Sequence, residues 1–86
     1  MSGADINKLR TEAKDHIANV DNMIMALHVQ LSFMCEQHIH IHLLLNKNEK
    51  DLNLEMMDII HEIRQKLFVY EQKSEKLQKL IGEVEE

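Results

Sequence analysis

Proline is absent from this 86-residue chain, and glycine occurs only at positions 3 and 82. Turn-rich β folds need Gly, Pro and Asn-Gly steps, so this scarcity excludes them and leaves a chain helical from near one end to the other. Tryptophan is also missing, and aromatic residues make up 3% (Phe33, Phe68 and Tyr70) against an apolar share of 44%. The apolar content is therefore aliphatic and Met-rich, the usual filling of seams between helices. The lone cysteine, Cys35, has no internal disulfide partner, which suits a reducing compartment.

Basic residues are outnumbered, ten Lys and Arg against fifteen Asp and Glu, for a net charge of −5. That balance argues against nucleic acid and anionic membrane surfaces, both of which are bound by clustered Lys and Arg. The apolar stretch from Met23 to Leu45 is broken by Gln30, Glu36, Gln37 and several histidines, which a bilayer core would not tolerate. The N-terminal "MSGADINKLR" has no apolar core of a secretory signal. The expectation is an intracellular, cytoplasmic protein, with the nucleus left open, that uses no membrane and no cofactor.

What the chain does have is two heptad stripes. The first runs through Ala13, Ile17, Val20, Ile24, Leu27, Leu31, Met34, His38, Ile41 and Leu45 at strict 4-3 spacing. The second runs through Met56, Ile60, Ile63, Leu67, Tyr70, Ser74, Leu77, Ile81 and Val84. Repeats sustained this long specify helices that pack along a seam. The stripes are one residue out of phase, and the polar stretch "NKNEKD" (46–51) separates them near mid-chain. Asn46 can end a helix in the left-handed conformation, and Asn48 with Asp51 can cap the start of another.

This spacing predicts a single all-α domain over residues 1–86, an antiparallel two-helix coiled-coil hairpin. Helix 1 covers about 5–45, the loop about 46–49 and helix 2 about 50–84, and the hairpin dimerises into a four-helix bundle. The rival is one continuous helix in a parallel coiled coil, because no Gly or Pro forbids it.

One hairpin leaves apolar surface over. Glu36 is the only formal charge between Asn22 and Asn46. Met25, Val29, Phe33, Ile39 and Leu43 fall off the seam of helix 1, and Met57 and Phe68 off that of helix 2. A helix apolar on every side is a buried one, so these seven residues are the expected interface with a further helical partner.

The segment "CEQHIHIHLLLN" (35–46) alternates like a strand, yet the heptad passes through it without slipping, so it is helix. On one helical side Cys35, His38 and His42 form C-x2-H-x3-H, a set of competent zinc ligands. Ligands from one helix splay along its axis, so ordinary hydrogen-bonded interface histidines are the main expectation and metal binding the minor one. "HEIRQ" (61–65) shares its first histidine and glutamate with zinc-protease helices but lacks the second histidine. No catalytic constellation emerges. The function expected is a non-enzymatic oligomerisation or adaptor module that assembles with itself or as a subunit of a heteromeric complex. The alternative is a metal- or pH-responsive regulatory bundle built on 35–42.

Overall fold

The computed structural model describes residues 3–83, which form two α-helices and no strand. Helix α1 is Gly3–His42 and helix α2 is Lys47–Glu83. They pack antiparallel as a hairpin measuring 66 × 16 × 15 Å. The chain turns back at 43–46, so the continuous helix is not adopted. Val84 of the second stripe lies outside the described residues.

The turn differs from the sequence expectation in a specific way. Helix α1 ends three residues early, at His42, and its exit is closed by Leu44 N–H donating to the Ile41 carbonyl at 2.9 Å. No non-glycine residue among those described has a positive φ, so Asn46 is not a left-handed terminator. It is the N-cap of α2. Its Oδ1 accepts from the Glu49 N–H at 3.0 Å, while Glu49 Oε1 accepts from the Asn46 N–H at 3.0 Å. This reciprocal capping box satisfies amides that the first turn leaves without helical partners. It stands where Asn48 and Asp51 were expected to cap, and it starts α2 earlier.

Two cross-helix contacts fix the register. Arg10 Nη1 donates to the Ile81 carbonyl at 3.3 Å, and His38 Nδ1 lies 2.7 Å from Asn53 Oδ1. Both pairs sit in one row of the seam, four heptads apart. Ile17 and Ser74, Ile24 and Leu67, and Leu31 and Ile60 therefore fall at matching heights between them. Among the described residues, Ile24, Leu31 and Ile60 are the buried hydrophobic ones, and no side chain is fully enclosed. Two helices alone cannot surround a side chain, so the core is a single thin row.

Candidate interaction surface

Of each two-row stripe, the hairpin buries one row. Ile17, Ile24, Leu31 and His38 of α1 and Leu45 of the turn are buried or half-buried, as are Ile60, Leu67, Ser74 and Ile81 of α2. In the other row Val20 is half-buried, but Leu27, Met34, Ile41, Met56, Ile63, Tyr70 and Leu77 stand 40–49% exposed. The sequence reading places these seven in the seam. The structure gives that share of the contact to Asp21, His28, Cys35 and His42 of α1, and to Met57, Arg64, Glu71 and Gln78 of α2, all half-buried. The physical reason is pairing geometry. Seam and flank alternate by three and four residues, and each helix is rotated so that the polar flanks face one another.

That rotation gives the hairpin two unlike sides. On one side polar groups cross-link the helices. His28 Nε2 meets Glu71 Oε1 at 3.0 Å, and the His28 ring lies against Phe68 with centroids 4.8 Å apart. Asp21 accepts from Ser74 Oγ at 3.1 Å and from Gln78 Nε2 at 2.9 Å. On the other side the rows Val20–Leu27–Met34–Ile41 and Met56–Ile63–Tyr70–Leu77 flank the seam together. Hollows there are lined mainly by apolar side chains, Ile17, Val20, Tyr70 and Leu77 together with Lys73 toward the free ends, and Ile41, Leu45, Leu52 and Met56 together with Glu49 near the turn. Their volumes are about 310 and 280 Å³. Both are open grooves of the hairpin, of the size that a partner's side chains would fill.

Near the turn the histidines are tied to one residue. Asn53 is 4% exposed. Its Nδ2 donates to the His38 carbonyl at 3.0 Å and lies 3.3 Å from His42 Nδ1. A carbonyl only accepts, so the amide NH₂ must face it and Oδ1 must face the His38 ring. His38 Nδ1 therefore carries a proton, and His42 Nδ1 is the acceptor. Every polar atom of the Asn53 side chain is thus used, as a buried amide requires.

Among the described residues, no group of three or more His, Cys, Asp or Glu side chains is placed to hold a metal ion. Cys35, His38 and His42 share a side of α1 but are not brought together as a ligand set, and His40 and His61 are exposed. Asn53 escaped the sequence reading because its stripe was begun at Met56. Carrying the row Ser74, Leu67, Ile60 back by one more heptad lands on it, and the same step back from Ile17 lands on Arg10.

The expected interface residues Met25, Val29, Phe33, Ile39, Leu43 and Phe68 are 53–74% exposed, and Met57 is half-buried. Val29 and Phe33 occupy the back of α1, away from both flanks, and Leu43 lies in the turn that follows it. No helix among the described residues is long and apolar enough to cross a membrane. No known family, curated protein or solved structure matches this chain.

Proposed function

We propose that this chain is a non-enzymatic assembly module, a helical hairpin that binds further helices as part of a protein complex. The observation that carries this reading is the asymmetry of the two flanks. Outside the seam row, the polar cross-links His28–Glu71 and Asp21 with Ser74 and Gln78 lie on one side, while the other side carries Leu27, Met34, Ile63 and Tyr70, half-exposed. Burying a side chain of this size contributes about 1.5–3 kcal/mol. A contiguous half-exposed row on each helix is therefore a surface made for contact. The heptad pattern supports the same view. A stripe two rows wide on each helix, of which the hairpin uses one, is the pattern of a four-helix bundle.

The exposed apolar back of α1 favours an adaptor within a larger complex over a free-standing bundle. A cytoplasmic setting belongs to the same proposal. The test is association of the purified chain. Its mass in solution should exceed 10.1 kDa, and introducing Lys at both Leu27 and Ile63 should reduce it toward one chain. A wild-type chain that stays monomeric and folded at micromolar concentration would remove the basis of the proposal.

A further inference from the structure

The open flank of the hairpin is built in layers. We propose that a second copy of this chain docks on it lengthwise with both turns at one end, so that α1 of each copy lies beside α2 of the other. This rests on the assembly reading above and names its partner and geometry.

The seam register creates the layers. Arg10 with Ile81 and His38 with Asn53 set facing residue numbers to a sum of 91. In the open row Val20 and Tyr70, Leu27 and Ile63, and Met34 and Met56 each sum to 90. Their heights on the two helices therefore agree within one residue, ~1.5 Å. A twofold axis running along the hairpin keeps every residue at its own height. The second copy then adds the same pair to each layer, and the contact is isologous.

Side-chain size fits the same arrangement. Where α1 carries a small residue in the open row, α2 carries a large one at that height, Leu77 with Ala13 and Tyr70 with Val20. Lengthwise docking sets α1 against α2 of the other copy, so each small side chain meets a large one.

Polarity along the hairpin selects the shared end. Near the turn, Leu44, Leu52 and Ile59 are 56–86% exposed. Distal to the turn both helices are charged, with Lys8, Glu12 and Asp15 exposed on α1 and Lys73, Lys76 and Lys79 on α2. Turns at one end gather the apolar tips together and leave the charged ends in solvent. Turns at opposite ends would lay each apolar tip against the charged end of the other copy and forfeit that burial.

The polar flank shows how far antiparallel neighbours reach along the axis. Asp21 meets Ser74 and His28 meets Glu71, pairs that sum to 95 and 99. On the outer rim of the open flank Leu44 and Leu52 sum to 96, as do Gln30 and Lys66. These pairs therefore meet across the two copies. Lys66 is exposed and has no polar partner among the described residues, so the Gln30 amide oxygen can accept from it.

The area is sufficient. The layered stretch, residues 13–45 with their α2 neighbours, is ~48 Å long and, across two helices, ~20 Å wide. That is on the order of 900 Å² per copy, against the ~800 Å² that a stable interface takes from each partner.

Two measurements on the full chain test the proposal. Spin labels on Lys47→Cys, in a Cys35→Ser background, report the distance between the two turns. It is about 25 Å across the bundle for turns at one end, and roughly 50 Å for turns at opposite ends. In the second, Gln30→Glu places a carboxylate beside Lys66 of the other copy, twice by symmetry. It should tighten self-association on the order of threefold. Adding Lys66→Glu should reverse the gain, and raised salt should blunt both effects. With α1 along α1 instead, no lysine of α2 would lie beside the new carboxylate and no gain would follow. Helix content checks that each variant folds. A dimer with the long distance, or a Gln30→Glu chain that associates no more tightly than wild type, overturns the geometry while leaving the assembly reading in place. A monomeric wild-type chain overturns both.

Discussion

The His38 ring and the Asn53 carboxamide are locked across the hairpin, with ring Nδ1 2.7 Å from amide Oδ1 and amide Nδ2 3.0 Å from the His38 carbonyl. Each supplies what the other lacks, in a row whose next pairs, Leu31 with Ile60 and Ile24 with Leu67, are aliphatic. His38→Leu should therefore lower stability by about 1–3 kcal/mol, because it leaves the buried Asn53 oxygen without a donor. Pairing it with Asn53→Leu removes both polar groups and should recover most of that loss. Urea unfolding of the two single variants and the double variant measures the coupling. Simple additivity would show that the pair contributes nothing as a unit.

Helix α2 should depend on Asn46 and be nearly indifferent to Asn48. Asn46→Ala removes the cap from the Glu49 amide and should cost about 1 kcal/mol. Asn48→Ala, in the first turn and outside the capping box, should change stability by a few tenths of a kcal/mol at most. Thermal unfolding of the two variants side by side decides whether the capping box starts the helix.

Charge on the flank and charge on the back should have different consequences. Lys at Leu27 and Ile63 should abolish self-association, whereas Val29→Lys with Phe33→Glu should leave the mass unchanged, since those side chains point away from the stripe. Sedimentation of the two double variants at matched concentration separates the surfaces. Dissociation by the Val29 and Phe33 pair instead would move the interface to the back of α1.

Zinc and chelators should leave the melting temperature unchanged. Asn53 Nδ2 already occupies the space beside His42 Nδ1 at 3.3 Å, and an amide NH₂ is no metal ligand. Binding at a native metal site adds directly to folding free energy. A metal-dependent rise in melting temperature that His42→Ala abolishes would show that the segment rearranges around an ion.

Gly82 lies in the last turn of α2, and a Cβ there would meet nothing within 4 Å. Gly82→Ala should therefore stabilise the helix by up to about 0.5–1 kcal/mol, from backbone entropy alone. Lower stability would mean that the residue contacts something outside the hairpin.

Much of the architecture was legible in the residues themselves. Heptads without proline or internal glycine specify two long helices, and the phase slip at 46–51 marks where the chain reverses. Local chemistry decides such features, and the 3.6-residue period makes them visible in sequence. The capping box was legible too, as Asn46 and Glu49 at three-residue spacing, but two asparagines competed for the role and only the observed bonds distinguish them. The rotation of each helix about its own axis was not legible. A 4-3 stripe has two rows, and its periodicity is the same whichever row faces the partner. That choice belongs to the tertiary structure, where Asp21 meets Ser74 and Gln78, His28 meets Glu71 and Asn53 meets two histidines. Those contacts exist only when both polar flanks turn inward together, and turning them inward is what leaves Leu27, Met34, Ile63 and Tyr70 on the open side.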